Sequence, residues 1–168
     1  IEHVDHVVDV RRHQVLMASA FPKELGQMFR RLETRSNPWG LAPRKRMDWA
    51  KDLPFPVRVL GEDIEKASDV DWLFWVGCAG AYEDRAKKTT RAVAELLDTA
   101  GVSFAVLGNG ETCTGDSARR AGNEVLFQTL AAQNIETMGE FGVTKGMKLA
   151  GLLIFFSDIH SLGVKNTE

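Results

Sequence analysis

Cysteine is nearly absent from this sequence: Cys78 and Cys113 are the two in 168 residues. Two thiols cannot build a disulfide framework, which excludes the small secreted scaffolds that depend on one and favours a reducing compartment. They do not form a Cys-x-x-Cys pair, the strong sequence mark of a metal site. An excess of one charge is lacking too. The 21 Lys and Arg nearly balance the 23 Asp and Glu, for a net charge of −2, so bulk electrostatics selects neither nucleic acid nor an anionic membrane as a partner. Long apolar runs are missing as well; the longest, Leu149 to Phe156, is far too short to span a bilayer. No secretory pattern appears at the start. The chain opens on Ile1 without an initiator methionine and reads as a piece of a longer polypeptide.

What remains is the composition of a soluble globular protein, 44% hydrophobic and 26% charged, long enough for one domain with an appendage. Residues 1–20 set Val4, Val7, Val8, Leu16 and Met17 among charged residues, as in an amphipathic helix. His3, His6 and His13 there read as a solvated face rather than as ligands. Pro22 opens a second helix through about Arg35, with Leu25, Met28, Phe29 and Leu32 on one face. Residues 36–69 are punctuated by Pro38, Gly40, Pro43, Pro54 and Pro56 and read as a connector, with a short helix around Arg44 to Lys51. Its basic residues, Arg30, Arg31, Arg35, Arg44, Lys45, Arg46 and Lys51, alternate with Trp39 and Trp49 in the manner of a nucleic-acid patch. Glu33, Asp48 and Asp52 dilute that patch. The better reading is a solvated linker that docks both tryptophans on the sheet domain or on a missing partner.

The second half is more regular. Val70 to Val76 and Val102 to Leu107 read as buried strands, and Leu149 to Phe156 as a third. Between them, Tyr82 to Ala100 reads as a helix with Ala86, Thr89, Val93, Leu96, Leu97 and Ala100 inward. A longer helix, Ser117 to about Glu140, is N-capped by Asp116 and turns Val125, Leu126, Leu130, Ile135 and Met138 inward. This pattern predicts an α/β fold: a small parallel three-layer βαβαβ sheet with right-handed crossovers, preceded by a helical and irregular N-terminal segment. The predicted divisions are 1–69, 70–156 and a divergent tail, 157–168.

Each cysteine falls where a strand-like run breaks into glycine and a helical pattern begins: Gly77-Cys78-Ala79-Gly80 and Glu111-Thr112-Cys113-Thr114-Gly115-Asp116. Residues 79–112 between them have about the length of one strand–helix–strand unit. The spacing therefore predicts both thiols close together at one sheet edge, where open α/β sheets bind ligands, each just ahead of a helix whose N-terminus favours a thiolate. Two soft ligands of this kind suggest half of a metal or iron–sulfur site. Residue type and spacing leave the bland alternative, two small buried apolar residues, equally open.

Trp75-Val76-Gly77-Cys78-Ala79-Gly80, followed by Glu111-Thr112-Cys113-Thr114-Gly115-Asp116-Ser117-Ala118-Arg119-Arg120-Ala121-Gly122-Asn123-Glu124, resembles the cysteine-rich (CCG) domain of heterodisulfide-reductase-related iron–sulfur oxidoreductases. Ile1-Glu2-His3-Val4-Asp5-His6 and Ser36-Asn37-Pro38-Trp39-Gly40 resemble the stretch that follows the ferredoxin-like module in the same family, so the likeness covers about residues 1–145. The resemblance implies an electron-transfer subunit whose ferredoxin module holds 4Fe–4S cubanes. In it, the cysteine-rich domain binds a further iron–sulfur cluster. It also implies passage of electrons between a flavoprotein or organic-acid dehydrogenase and a quinone or thiol/disulfide acceptor. The location implied is the cytoplasm, or the cytoplasmic face of the inner membrane through other parts of the polypeptide.

Only Cys78 and Cys113 match the family's ligand positions. Thr114 stands where the family's name motif has a second cysteine, a version found in the subgroup this chain resembles. Leu152 to His160 stands where the family has a closing Cys-Pro-x-Cys pair. Asp158 and His160 are the donors nearby, read as solvated. Two thiolates are half of the about four that an iron–sulfur cluster takes, so this stretch alone is expected to be inactive in electron transfer. Two other readings stand beside this one. One is a nucleotide- or anion-binding module holding phosphate on Gly77-Cys78-Ala79-Gly80, although its glycines do not match Gly-x-Gly-x-x-Gly. The other is a structural remnant without a ligand.

Overall fold

Glycine and proline punctuate the sequence, and many of its regular elements are short. The structure, a computed structural model, describes residues 3–149 and 153–156. In chain order its elements are α1 (Val4–Arg12), a π-helical turn over His13–Met17, α2 (Lys23–Arg35), 3-10 turns at Pro43–Lys45 and Asp48–Ala50, and β1 (Arg58–Val59). Then come β2 (Trp72–Trp75), α3 (Gly77–Tyr82), α4 (Asp84–Thr99), β3 (Phe104–Val106), α5 (Asp116–Arg120), α6 (Glu124–Glu140), β4 (Gly146–Leu149) and β5 (Leu153–Phe156). The described residues divide into two compact units, one of residues 3–43 with Thr112–Glu136, the other of Arg44–Glu111 with the described residues after 136.

The second unit carries the sheet, in the order β1-β3-β2-β4-β5. β1, β3, β2 and β4 pair in parallel, and β5 returns antiparallel to β4. Side chains on a strand alternate between faces, and β2 is buried on both. On one face Leu73 and Trp75 join Leu60, Ile64, Leu107 and Val143. On the other, Phe74 meets Trp49 edge-on at 6.1 Å and Phe104 at 5.9 Å. Trp49 is thus a full core residue, as expected, whereas Trp39 is 43% exposed. The α/β class stands, and the first two expected strands are present.

The third expected strand, Leu149 to Phe156, covers β5 but only the last residue of β4, a parallel strand that the pattern did not show. β4 ends at Leu149 and β5 begins at Leu153, paired from Gly146↔Phe156 to Leu149↔Leu153. β1, hidden in the proline-rich connector, is an additional strand: its two residues are too few to show a period. The expected helix from Tyr82 also divides. Tyr82 closes α3, and the Glu83 carboxylate caps α4 by accepting from the amides of Arg85 (3.1 Å) and Ala86 (2.6 Å). The inward face of α4 is Thr90 and Ala94, while Thr89, Leu96 and Ala100 are exposed. Thr90 fixes that phase by donating its hydroxyl to the Gly80 carbonyl at 3.0 Å, an approach that leaves no space for a side chain at Gly80.

The first unit is helical. α2 buries Phe29 and Leu32, as its pattern required, with Phe21 edge-on to Phe29 at 5.7 Å. α1 is tied down by polar contacts instead: Arg11 donates to the Arg120 carbonyl at 2.8 Å and Arg12 pairs with Glu124 at 2.8 Å. Its apolar stripe, Val4, Val7 and Val10, is exposed, as are His3, His6 and His13. The helix expected over Ser117–Glu140 breaks at Gly122. α6 restarts under Asn123, whose side-chain oxygen accepts from the Leu126 amide at 3.1 Å. Asp116 is not the cap; it begins α5 and pairs with Arg120 at 2.9 Å. Leu126 and Leu130 are buried, and Val125 is exposed. Among the described residues no helix is long and apolar enough to cross a membrane. Asp158, His160 and the rest of the tail 157–168 lie outside the described residues.

Candidate functional site

Cys78 is positioned by β2 and by a single backbone reversal after it. Gly77 has φ +74°, a left-handed conformation that a side chain would strain, and it turns the chain from the strand into α3. Cys78 is therefore the second residue of a six-residue helix, not a residue in a turn ahead of one. The thiol is half-buried.

The amides at the start of α3 are occupied. Glu111, 2% exposed, accepts from the Gly77 amide at 2.7 Å and the Val76 amide at 3.2 Å. It also pairs with Arg46 at 2.8 Å. A carboxylate of the chain thus takes two of the amides on which the anion-binding alternative would rely. Arg46 places a positive charge beside Cys78. One guanidinium nitrogen serves Glu111, and the other donates to the Cys78 sulfur at 3.6 Å. The guanidinium also lies over the Tyr82 ring, 5.3 Å from its centroid. Burial opposes the charge on Arg46, but Glu111 and then Cys78 outweigh it and hold the guanidinium above its ordinary range. Burial likewise pushes the Tyr82 hydroxyl up, against the pull of Arg46. Arg46 is therefore no part of a solvated basic linker: it is 2% exposed.

Cys113 belongs to the helical unit and is buried. Its sulfur accepts from the Gly115 amide at 3.5 Å. Its backbone is held at both ends: the amide donates to the Ser36 carbonyl at 3.1 Å, and the carbonyl accepts from the Asn134 side chain at 3.0 Å. Asn134, 4% exposed, also accepts from the Thr112 amide at 3.2 Å and hydroxyl at 2.7 Å. Ser36 is placed by a loop that Asn37 closes on itself, bonding the Arg35 and Leu41 carbonyls and the Leu41 amide. The Ser36-Asn37-Pro38-Trp39-Gly40 stretch is thus a support for Cys113. Glu111, Arg46, Asn37 and Asn134 are the residues that sequence reasoning missed. A charged residue inside a glycine-rich turn, Glu111, was the one available signal.

Each cysteine sulfur accepts an N–H hydrogen bond, the arrangement that a metal-bound thiolate needs, so both residues fit iron–sulfur ligation. Among the described residues no group of three or more His, Cys, Asp or Glu converges.

Cys78 at the start of α3, after β2, and Cys113 between β3 and α5 are the cysteines of an α/β class, the cysteine-rich domains. Residues 72–146 are such a domain, matching the family model described as CCG, Cysteine-rich domain. The chain is similar to the probable iron-sulfur-binding oxidoreductase FadF of Bacillus subtilis, 39% identical over 145 residues, covering 86% of this chain and 21% of that protein. It is similar to the EtfAB:quinone oxidoreductase of Syntrophomonas wolfei, 40% identical over 147 residues, covering 86% and 20%. It is also similar to a subunit of the dihydromethanophenazine:CoB–CoM heterodisulfide reductase of Methanosarcina barkeri, 27% identical over 130 residues, covering 76% and 27%. The chain therefore spans about a fifth of the length of the first two relatives. No solved structure matches it.

Proposed function

We propose that this chain is the cysteine-rich part of a longer iron–sulfur electron-transfer oxidoreductase subunit, with Cys78 and Cys113 as thiolate iron–sulfur ligands. The observation that carries the reading is that both sulfurs are hydrogen-bond acceptors from fixed donors, Arg46 and the Gly115 amide. A small buried cysteine that only fills space needs neither donor. The remaining ligands come from outside the described residues. When bound, the cluster supplies one-electron chemistry; the protein supplies the thiolates, the donors that stabilise them and the burial that limits solvent access.

The relatives named for EtfAB:quinone and heterodisulfide chemistry support electron passage between a flavoprotein and a quinone or thiol/disulfide acceptor. The test is anaerobic iron and acid-labile sulfide analysis of the longer protein that carries this chain. The visible absorption of Cys78→Ser and Cys113→Ser variants completes it. Each substitution should bleach the absorption and stop electron transfer from a reduced flavoprotein. Full absorption and activity in both would make these cysteines core packing and end the assignment.

A further inference from the structure

The buried pair of Arg46 and Glu111 does more than satisfy itself. A buried ion pair is weak evidence for stability, because desolvating both charges costs about what their attraction returns. Here the pair is not closed: Arg46 has one nitrogen on Glu111 at 2.8 Å and the other on the Cys78 sulfur at 3.6 Å. Glu111 in turn is fixed by the Val76 and Gly77 amides on either side of the strand-to-helix turn. The guanidinium cannot drift from the sulfur without leaving Glu111 or the face of Tyr82.

We propose that Arg46 is the positioning and potential-setting residue for Cys78, donating a cationic N–H to its sulfur, with Glu111 as the counter-charge that limits the effect. The inference rests on the iron–sulfur reading above. Hydrogen bonds to ligand sulfurs and the net charge beside them set the reduction potential of such centres. Gaining an electron adds negative charge, so a cation and its donor hydrogen favour the reduced form, and a carboxylate disfavours it. The two partners therefore act in opposite directions on the potential, though both belong to one structural unit.

The experiment is a dithionite titration of the anaerobically isolated, iron- and sulfide-loaded protein, followed by visible absorption and electron paramagnetic resonance, with Arg46→Gln, Arg46→Lys and Glu111→Gln variants. Arg46→Gln should lower the oxidised-to-reduced balance point by at least tenfold in the equilibrium ratio, about 59 mV for a one-electron couple. Arg46→Lys should restore part of that loss, and Glu111→Gln should shift the balance the other way. A merely structural pair would lose iron in both Gln variants and show no opposed shifts. Unchanged potentials at full iron content, or shifts of the same sign, overturn the role of Arg46 alone. Wild-type protein that holds no iron overturns the iron–sulfur reading and this inference with it.

Discussion

Glu111 and Arg46 form a 2.8 Å ion pair whose side chains are 1% and 2% exposed, and the same carboxylate receives the two amides that open α3. Removing one partner of such a pair leaves a buried charge without compensation, at a cost of about 3–5 kcal/mol. Glu111→Ala also strips Gly77 and Val76 of their acceptor. It should therefore lower the urea unfolding free energy by about that amount, and Glu111→Gln by clearly less, because the amide oxygen still accepts. A Glu111→Ala loss below about 1 kcal/mol would show that water replaces the carboxylate and that the turn is not organised by it.

Strand periodicity made β2 and β3 legible in the sequence, since each is a short apolar run bounded by turn residues. The cysteine turns were legible for the same reason. What surrounds the cysteines was not. Arg46 lies in a stretch with six other basic residues, and nothing local separates the one that is buried from those that are solvated. Its partner is far away in the chain, so the pairing exists only in the fold. The inner face of α4 was misplaced because Thr90 and Ala94 are small and polar or weakly apolar, whereas Leu96, an apolar residue that pattern reasoning turns inward, is 68% exposed. The break at Gly122 was hidden because a glycine is tolerated within a helical pattern and only its φ of +97° decides.

Gly122 and Gly139 should respond to alanine with opposite signs. A Cβ at Gly122 would stand on the backbone carbonyl of Arg11, and the residue is left-handed besides. Gly122→Ala should therefore destabilise the protein by roughly 1–3 kcal/mol through forced separation of α1 from the α5–α6 break. Gly139, inside α6, has nothing within 4 Å of an added Cβ. Gly139→Ala should stabilise by up to about 1 kcal/mol. Denaturant midpoints at constant slope measure both; equal shifts of one sign would contradict the geometry.

Asp71 and Ser103 clamp the entry of β2 to that of β3. The Ser103 hydroxyl donates to the Asp71 carboxylate at 2.6 Å and the Ser103 amide at 2.8 Å. These bonds, the hydroxyl first, hold the Asp71 carboxyl below its ordinary value. A carboxylate depressed in the folded state adds stability above its unfolded pKa of about 3.9, and that share is lost as pH falls through the folded value. The contribution is therefore whole at pH 7, begins to be lost below about pH 4 and is gone only below the folded value. Asp71→Asn should lower the melting temperature at pH 7 and flatten its decline between neutral and acid pH. An unchanged acid slope in the variant would place the depression elsewhere.

Asn134 holds the Cys113 turn by its backbone, so its removal should separate geometry from ligand chemistry. Its side chain bonds the Cys113 carbonyl at 3.0 Å, the Leu130 carbonyl at 2.9 Å and the Thr112 amide at 3.2 Å, all without touching the sulfur. Asn134→Leu is close in volume but removes the partner of the Cys113 carbonyl and of both the Thr112 amide and its hydroxyl, while the Leu130 carbonyl is also the helix's own acceptor position. Each such group costs about 1–3 kcal/mol when it stays buried, and the Thr112 hydroxyl is free to rotate to another acceptor, so the loss on urea unfolding should be at least about 2 kcal/mol. Both thiols remain in this variant. Under the proposed ligation, iron should still load at early times but dissociate faster than from wild type when challenged with a ferrous chelator, because Cys113 no longer has a fixed backbone. Asn134→Asp keeps an acceptor for Thr112 and loses the donor to Cys113, so it should fall between the two in chelator resistance. Wild-type chelator resistance in a clearly destabilised Asn134→Leu protein would mean that the Cys113 turn holds its shape without Asn134, or that Cys113 does not bind the metal.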